Sequence, residues 1–499
     1  MIKDCVISVD IGTSSVRACL VNSDLSILFQ AQEFIDLFTD INGKAEQDPT
    51  QVIEASMRTI AQAADYAKKN NFGIKAISFS NAVSSLVQLN ADFNPIGNFL
   101  TYADIRSFNE VEILREQYQP DFFMNSAVPL HASYWLPKML WLKNNGRINS
   151  SSKHFCTIKD LLVYRLTGRF VTDQSNAVAS GICESNTISW NPAFLELMGL
   201  NSSNFPEILP TIEKIELLAE IKSELGLPKD ALLVLGATDG VLSSLGAGAV
   251  NPGQVTTMIG SSGACRIAAN KPLLNQENLT WSYPLADGIW IRGGAMNSGG
   301  LVAEWLFDCF YPDLGKSDQT KKFQKVFEEI KNIPAASEGL IFLPYIFGER
   351  APIWDEKARG VFFGIHEQHG RPHFARAVIE GIIYSLFSIF EIVRTTELED
   401  VEIRATGGYT RSDEFLQLQA DIFGHQIHVP EDHEGSSMGA AVLAFFSLGI
   451  FKNLRAASDL IGIKKVIKPK ENNCIPYQEA YRKFKNLYSV LKPEFRRSQ

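Results

Sequence analysis

The chain has 499 residues, of which 45% are hydrophobic and 21% are charged, close to the average for globular proteins. We therefore expect a packed interior, and the length predicts two or three domains. The net charge of −9 comes from 47 basic and 56 acidic residues spread along the chain, which argues against a nucleic-acid partner.

The first half of the chain predicts three strands, a helix and two more strands. The first three strands are "CVISVDIG", "SVRACLVN" and "SILFQAQEF", joined by short polar turns that are typical of hairpins. Asp48 followed by Pro49 predicts the start of a helix over residues 49–70. The segments "KAISFS" and "SSLVQLN" then predict buried strands.

A similar order of elements returns after residue 250. Strands are predicted at "GQVTTMIG", "GACRIAAN", "GIWIRGG", "GLIFLPYI", "VEIRAT" and "QIHVP". Helices are predicted over about 299–309, 373–394, 411–423, 436–449 and, after a basic loop, 476–492. The last of these is expected to dock on the preceding domain, and no function is assigned to it.

Two turns share one pattern, "IGTSSVRA" at 11–18 and "IGSSGACR" at 259–266. We call these segments the first hairpin and the second hairpin. Each has a glycine and hydroxyl residues between two predicted strands, and the strand order around them also matches. The sequence thus predicts two related α/β domains, residues 1–248 and 249–499, with the boundary in the small-residue segment "GAGAVNPG".

The N-terminal sequence, the apolar runs and the cysteines together favour a location in the cytoplasm. The N-terminus lacks the apolar core of a secretory signal, and the longest apolar run, "MGAAVLAFFSLGIF", is too short to span a bilayer. The seven cysteines are scattered, as is typical of buried thiols in a reducing compartment. We expect a cytoplasmic protein with a small-molecule substrate and no membrane partner. The sequence leaves open whether the chain forms a homodimer.

The two hairpins are candidate phosphate sites, because no segment fits the Walker pattern. A tight Gly-Thr-Ser turn directs backbone amides and hydroxyls to one side, which can hold phosphoryl oxygens without a lysine. Asp10 precedes Gly12, Thr13 and Ser14, and its carboxylate would repel a polyphosphate unless a divalent cation lay between them. Mg²⁺ suits such oxygen ligands. Alternatively, Asp10 only ties the turn.

Asp239 is the candidate base. It lies in "VLGATDGVLSSLGAGAV", after a strand-like apolar run and within a small-residue turn. A turn aspartate most often caps a helix or binds its own backbone. Phosphoryl transfer offers a functional alternative, because a carboxylate within hydrogen-bond reach can orient an acceptor hydroxyl and take its proton.

Taken together, these motifs resemble the FGGY carbohydrate kinase family from residue 5 to about 450. The two hairpins are similar to the family's phosphate hairpins, "GATDG" to its base segment, and "RATGGYTRS" and "EGSSMGAAVLA" to its adenosine segments. "GVFFGIHEQHGRPHFARAVIE" fits the longer family signature throughout. The shorter signature fits at Lys138, Trp141 and Asn145, but Trp135 replaces a small residue or proline.

The resemblance implies a fold class and a set of site residues. It implies two ribonuclease-H-like domains of the actin/hexokinase type with a catalytic cleft between them, ATP as donor, and Mg²⁺ bound at Asp10. It also implies that Asp239 is the base. The implied cofactor-binding residues are Asp10, Gly12, Thr13, Ser14, Gly260, Ser261, Ser262, Gly263, Gly407, Gly408, Ser412 and Glu434.

Four segments are similar to those of family members that phosphorylate gluconate, namely "ISFSNAVSSLV", "TYADIRS", "GERAPIWDEKARGVFFG" and "GATDGVLSSLGAGAVNPG". The resemblance implies that the first two of these are acceptor-side segments. Two positions depart from that pattern, Ser84 in place of histidine and Tyr102 in place of tryptophan. An arginine such as Arg106 suits either a carboxylate or a carbonyl oxygen.

We therefore predict ATP-dependent phosphorylation of a terminal hydroxyl of an open-chain sugar acid, D-gluconate to 6-phospho-D-gluconate. The predicted substrate residues are Ser80, Ser84, Asp104, Arg106 and Asp239. Xylulose or another ketose or polyol is the alternative acceptor within the family. A non-catalytic sugar sensor or an actin-like assembly protein is the alternative outside enzymes, since one fold can host several functions.

Overall fold

The structure is a computed structural model that describes residues 4–272, 279–315, 319–394, 401–431 and 435–497. The chain forms two compact units, each built from separate segments. The first unit contains the described parts of Met1–Asn251, Ala268–Arg292 and Glu434–Ile461, and the second contains those of Pro252–Ile267, Gly293–His433 and Gly462–Gln499. Because the units interleave along the chain, they do not correspond one to one with residues 1–248 and 249–499, which stay a prediction.

Strands and helices are numbered in chain order. Up to residue 250 the strands are β1 Asp4–Ile11, β2 Ser15–Asn22, β3 Ile27–Phe34, β4 Phe38–Thr39, β5 Ala45–Gln47, β6 Gly73–Asn81, β7 Val87–Leu89, β8 Phe99–Leu100, β9 His154–Cys156, β10 Val171–Asp173, β11 Cys183–Glu184, β12 Ser189–Trp190, β13 Glu207–Leu209, β14 Lys214–Glu216 and β15 Leu232–Thr238. After residue 250 they are β16 Gln254–Ile259, β17 Gly263–Ala269, β18 Trp281–Pro284, β19 Trp290–Met296, β20 Ile341–Leu343, β21 Val361–Phe363, β22 Glu402–Thr406, β23 Ile427–Pro430 and β24 Ile463–Ile467. The α-helices are α1 Pro49–Lys69, α2 Phe108–Gln117, α3 Trp135–Asn144, α4 Ile158–Thr167, α5 Gln174–Ala179, α6 Pro192–Met198, α7 Ala219–Glu224, α8 Asp239–Gly246, α9 Gly300–Phe310, α10 Gln319–Ile330, α11 Arg371–Val393, α12 Asp413–Phe423, α13 Gly435–Ser447, α14 Leu454–Ser458 and α15 Glu471–Arg497.

A six-stranded sheet, in the order β14-β15-β6-β1-β2-β3, forms the centre of the first unit. The short turn of the first hairpin makes β1 and β2 antiparallel, whereas the crossover through α1 makes β1 and β6 parallel. Helix α1 begins as predicted, since the Asp48 side chain accepts a hydrogen bond from the Thr50 amide at 2.8 Å and Pro49 occupies the first turn. The strands predicted for this sheet are confirmed.

The second unit repeats this pairing pattern. Strand β16 pairs antiparallel with β17 across the second hairpin and parallel with β22, as β1 does with β2 and β6. Strand β22 then pairs parallel with β23, and β23 antiparallel with β24. The predicted repetition of strand order is therefore confirmed, and helices α11, α12 and α13 begin within two residues of the predicted positions.

Both faces of the first sheet are covered. Ile7 and Val9 of β1 face a core that includes residues of α1 and α4. Val6 points to the opposite face, where the core includes residues of α8 and α13. Successive strand residues alternate between faces, so the apolar run of β1 is explained by burial on both sides.

All seven cysteines lie in the described residues, and none is in a disulfide. Five are buried, but the expectation of burial is wrong for Cys309, which is exposed, and for Cys474, which is half-buried. Cys309 lies near the end of α9, after Phe307, the last buried residue of that helix. Among the residues described, no helix is long and apolar enough to cross a membrane.

Candidate active site

Asp10 lies near the carboxyl end of β1, paired with Ser80 of β6 and with Arg17 of β2. The Ser80 hydroxyl donates to Asp10 Oδ1 at 2.6 Å, and the Ser436 hydroxyl at the start of α13 is a second donor. Burial raises the pKa of Asp10, while both hydroxyls and the Arg17 charge act in the opposite direction. A nearby cation would favour the ionised form of this carboxylate.

The surroundings of Asp10 fit Mg²⁺. An ionised carboxylate offers about four lone-pair sites, and the two serine hydroxyls leave part of that capacity for a metal. In the part of the chain that the structure describes, no group of three or more His, Cys, Asp or Glu side chains could hold a metal ion. Mg²⁺ is commonly held by one or two carboxylates together with water and phosphate oxygens, which a single acid such as Asp10 suits.

The first hairpin is tied to the rest of the first unit. The Gly12 amide donates to Ser15 O at 3.1 Å across the turn. Thr13 O accepts from Gln47 Nε2 at 3.0 Å, and Ser14 O accepts from the Ile35 amide at 3.0 Å. With these carbonyls held by the protein and Ser14 exposed, the turn is preorganised, as an anion site of backbone amides and hydroxyls requires.

Asp239 is the first residue of α8, directly after β15. Thr238 and Ile11 both pair with Asn81, from opposite sides of β6. Two strand spacings separate them, so the ends of β1 and β15 lie about 10 Å apart. Asp239 is half-buried, and its Oδ1 accepts from the adjacent Gly240 amide at 2.7 Å. Asp10 and Asp239 thus share the carboxyl edge of one sheet.

A bulge in β15 precedes Asp239. The pairing with β6 shifts between Val234 and Ala237, and Gly236 has a φ of +80°. A Cβ at this glycine would lie 1.8 Å from Phe79 O. Only glycine fits this left-handed close approach, so Gly236 is required for the path that brings Asp239 to the sheet edge.

Arg106 is oriented by two carboxylates and one ring. Its Nη2 lies 2.6 Å from both Asp104 Oδ2 and Glu46 Oε1, and its guanidinium lies 4.4 Å from the centre of the Trp141 ring. Asp104 is fully buried and also accepts from the Ala45 amide at 2.9 Å. Asp104 therefore orients the guanidinium of Arg106. A substrate contact by either residue stays a prediction.

Ser84 is buried with a φ of +56°, and its hydroxyl donates to Ala179 O at 2.8 Å. Its predicted contact with substrate also stays a prediction. Tyr102, the other departing position, lines a cavity of about 10 Å³ together with Gly12, Thr13 and Gln47. A cavity of this size holds about one water molecule. The shared cavity shows that Tyr102 and its acceptor-side segment lie next to the first hairpin.

Lys138, from the shorter signature, is fully buried beneath the acceptor-side segment. Its Nζ donates to Thr101 O at 2.5 Å and to Ser133 O at 2.8 Å. Burial lowers the pKa of this amine to about 7, partly offset by the charge of Asp104. Lys138 therefore holds the backbone beside Tyr102.

In the second unit the second hairpin docks on the start of α9. The Gly300 amide donates to Gly260 O at 2.8 Å, and the Leu301 amide donates to Ser261 O at 3.1 Å. A Cβ on Gly299 would lie 2.5 Å from the Ser262 carbonyl carbon, so this approach requires glycine. Sequence reasoning missed Gly299 and Gly300, although the Gly-Gly pair at a predicted helix start was a usable signal.

A buried carboxylate supports the loop before Gly299. Glu349 Oε1 accepts from the Asn297 amide at 2.5 Å and from the Arg350 amide at 2.8 Å. Arg350 Nε in turn donates to Asn297 Oδ1 at 2.8 Å. Burial raises the pKa of Glu349, whereas these hydrogen bonds act to lower it. Glu349 and Arg350 belong to the segment "GERAPIWD", which the sequence singled out. Their support of the loop depends on tertiary contacts that no local pattern shows.

The four predicted adenosine residues have different surroundings. Gly407 follows β22 with a φ of +95°, and a Cβ there would lie 2.7 Å from Ile259 O, so it adjoins the second hairpin. Gly408 has open space where a Cβ would stand. Ser412 caps α12, accepting from the Phe415 amide at 3.2 Å. Glu434 lies outside the described residues.

Models of one known protein family match both halves of the chain. The family model "FGGY family of carbohydrate kinases, N-terminal domain" matches residues 5–246, and the corresponding C-terminal domain model matches residues 255–448. The chain belongs to the FGGY family of carbohydrate kinases. It therefore has the family's two-domain α/β fold of the actin/hexokinase type, as the sequence predicted.

Two groups of FGGY relatives are similar over nearly the whole chain. The gluconokinase of Bacillus subtilis (strain 168) is 31% identical over 502 residues, covering 98% of this chain and 96% of the relative. The xylulose kinase of Staphylococcus epidermidis (strain ATCC 12228 / FDA PCI 1200) is 29% identical over 505 residues, covering 99% and 98%.

Solved structures give the same pair of similarities. A gluconate kinase from Lactobacillus acidophilus has a TM-score of 0.94 at 29% identity, covering all of both chains. A ligand-bound xylulose kinase from Lactobacillus acidophilus also has a TM-score of 0.94 at 29% identity, covering 99% of this chain and 100% of the other. The FGGY fold is thus shared equally by relatives with different sugars.

Proposed function

We propose that this FGGY kinase transfers the γ-phosphoryl group of ATP to the terminal hydroxyl of D-gluconate, giving 6-phospho-D-gluconate and ADP. The main support is that Asp10, the proposed metal ligand, and Asp239, the proposed base, lie at the same sheet edge on strands about two strand spacings apart. The similarity to gluconokinase over 98% of the chain supports gluconate as acceptor.

In the proposed reaction the hydroxyl oxygen forms a bond to the γ-phosphorus while the bond to ADP breaks. The hydroxyl proton passes to Asp239, which needs only hydrogen-bond reach to the acceptor. Thr13 and Ser14 of the first hairpin bind phosphoryl oxygens through amides and hydroxyls. Asp10 holds Mg²⁺, which when bound offsets negative charge on the phosphates.

The donor nucleotide is assigned to ATP, with the second hairpin and the turn after β22 as its proposed contacts. The amides of Ser261, Ser262 and Gly263 are proposed to bind the outer phosphates. Gly407 and Gly408 are proposed to flank adenosine, supported by the position of Gly407 beside the second hairpin and by the open space at Gly408.

The test is a nucleotide-turnover assay on the full chain with Mg²⁺ and gluconate, xylulose, ribulose or glycerol as acceptor. We expect gluconate to give the highest kcat/KM. A preference for xylulose would overturn gluconate as the acceptor but would leave the assignment as a kinase intact. Such a preference would be consistent with Ser84 and Tyr102, the two positions that depart from the pattern of the gluconate kinases. Turnover that no acceptor raises above the rate with water would favour the non-catalytic sugar sensor.

The base is tested by Asp239→Asn, which keeps the size of the side chain and removes its capacity to take a proton. We expect kcat to fall by about 10²- to 10⁴-fold with the KM for ATP little changed. Asp413→Asn is the matched control, because Asp413 is also the first residue of a helix, α12. Comparable activity of the two variants would remove the assigned role of Asp239.

A further inference from the structure

Helix α5 follows β10 and contacts the ends of two neighbouring strands of the first sheet. Three polar residues at its start, Asp173, Ser175 and Asn176, are buried. Their side chains form hydrogen bonds within this group and to residues of β6 and β15. None of them belongs to a motif that the sequence singled out.

Ser175 contacts the residue that directly precedes Asp239. Its Oγ lies 3.0 Å from Thr238 Oγ1, and the Thr238 amide donates to the same Oγ at 3.4 Å. Thr238 is the N-cap residue of α8, yet its side chain makes no capping hydrogen bond. A threonine at this position usually caps the helix amides. Here its hydroxyl faces Ser175 instead, so the start of α8 is oriented from α5.

Asn176 fixes α5 against β6. Its Nδ2 donates to Asn81 Oδ1 and Asn81 Nδ2 donates to Asn176 Oδ1, both at 2.9 Å. Asn176 Nδ2 also donates to Asp173 Oδ2 at 2.7 Å. Asn81 is the residue after Ser80, which holds Asp10. The amide pair therefore anchors α5 to the strand end beside Asp10.

Lys159 of α4 completes the anchor. Its ammonium pairs with the Asp173 carboxylate, and both side chains are fully buried. Lys159 Nζ also lies 3.5 Å from Leu235 O, next to the bulge in β15. A buried pair with this many partners resists displacement, because separating it would leave an uncompensated charge. Ser175 is thus held at a fixed point relative to both strands.

We propose that Ser175 is a positioning residue for phosphoryl transfer, which orients Asp239 through Thr238. This inference rests on the proposed role of Asp239 as base. A small shift of a positioned group lowers the rate of the chemical step while leaving ground-state binding intact. The inference therefore predicts a change in kcat without a matching change in KM.

The test compares Ser175→Ala, Thr238→Val and the double variant in the full chain, by kcat, by KM for gluconate and ATP, and by thermal midpoint. We expect each single variant to lose about tenfold in kcat with KM changed less than about twofold. The double variant should lose no more than the worse single one, since Ser175→Ala already removes the hydroxyl contact that Thr238→Val removes. Thr238→Ser, which keeps the hydroxyl, should retain most of the wild-type kcat.

Ser180→Ala is the matched control. Ser180 is a buried serine at the other end of α5, and its Oγ donates to Ala177 O within the same helix at 2.6 Å. Wild-type kcat in Ser175→Ala, or equal kcat losses in Ser175→Ala and Ser180→Ala, would overturn the inference. If Ser175→Ala fails to fold, a folded Thr238→Val with wild-type kcat overturns it; if neither folds, the contact is structural and the inference is also overturned.

Asp239→Asn, assayed in parallel, separates this inference from the proposed function. Loss of activity in Asp239→Asn with wild-type kcat in Ser175→Ala overturns only the positioning role. Retained activity in Asp239→Asn removes the base and the positioning role together. Absence of sugar-dependent turnover in the wild-type chain refutes the proposed function itself.

Discussion

Burial raises the pKa of Asp10, although the hydroxyls of Ser80 and Ser436 and the charge of Arg17 act in the opposite direction. Metal binding requires the ionised carboxylate. If Asp10 binds Mg²⁺ as proposed, the metal affinity of the site should depend on pH and on each hydroxyl. The sequence singled out Asp10 because it adjoins the first hairpin, and its role as a metal ligand stays a prediction. The Ser436 contact joins distant parts of the chain and has no local signal.

Ser80→Ala removes one of the bonds that lower the pKa of Asp10, so that pKa should rise further. The acidic limb of the activity profile should then move to higher pH, and at a fixed pH more Mg²⁺ should be needed for half-maximal rate. The check is a Mg²⁺ titration of activity at several pH values. Ser78→Ala, two residues earlier on the same strand and also buried, is the control and should leave both quantities unchanged.

Lys138 gives a second prediction at the scale of one residue. Its pKa of about 7 in the folded chain lies below its ordinary value of 10.5. Between those values the unfolded chain binds a proton that the folded chain does not, so this group makes the free energy of unfolding rise with pH, by at most about 1.4 kcal/mol per unit. Below pH 7 its contribution is constant.

Thermal midpoints from pH 6.5 to 9.5 check this dependence. The wild-type chain should gain stability with pH relative to Lys138→Met. Lys143→Met, an exposed lysine of the same helix, should run parallel to the wild type. Parallel curves for all three proteins would contradict the lowered pKa.

At the scale of elements, the two hairpins and helix α1 were predictable because glycine turns, strand alternation and an Asp-Pro start are local signals. The bulge at Gly236 was not, since its requirement comes from Phe79 on another strand. The same holds for the short helix α5, whose role depends on partners in β6, β15 and α4.

Helices α8 and α13 pack unusually closely within the first unit. A Cβ on Gly439 would lie 1.9 Å from Leu242 O, whereas a Cβ on Gly435 would meet Ser243 only at 3.4 Å or more. Gly439→Ala should therefore force the helices apart and cost about 1–3 kcal/mol or more, with a thermal midpoint lowered by several degrees. Gly435→Ala should be neutral or stabilising by up to about 1 kcal/mol; equal effects would contradict this packing.

At the scale of the whole molecule, the interleaving of the two units was beyond sequence reasoning. The boundary prediction relied on composition near residue 250, but contacts decide which segments join a core. Helix α13 and the segment 281–291 contribute many fully buried residues to the first unit. No local pattern distinguishes these segments from those that join the second unit.

The fragment 1–248 should therefore not fold alone, because it lacks α13 and exposes the face of α8 that carries Leu242 and Gly246. We expect low soluble yield and no cooperative thermal transition, measured by circular dichroism beside the full-length chain prepared in the same way. A cooperative transition in the isolated fragment would show that residues 1–248 form an independent domain.

Interleaving also orders events during synthesis. Helix α13 leaves the ribosome roughly 10 to 40 s after residue 251, at ordinary elongation rates. Throughout that interval one apolar face of the nascent sheet with Asp10 and Asp239 is covered only in part, by α5, α8 and other segments that precede residue 251. The two acids can acquire their final surroundings only after most of the second unit has been translated, so catalytic competence comes late, and the growing chain needs protection from aggregation until then.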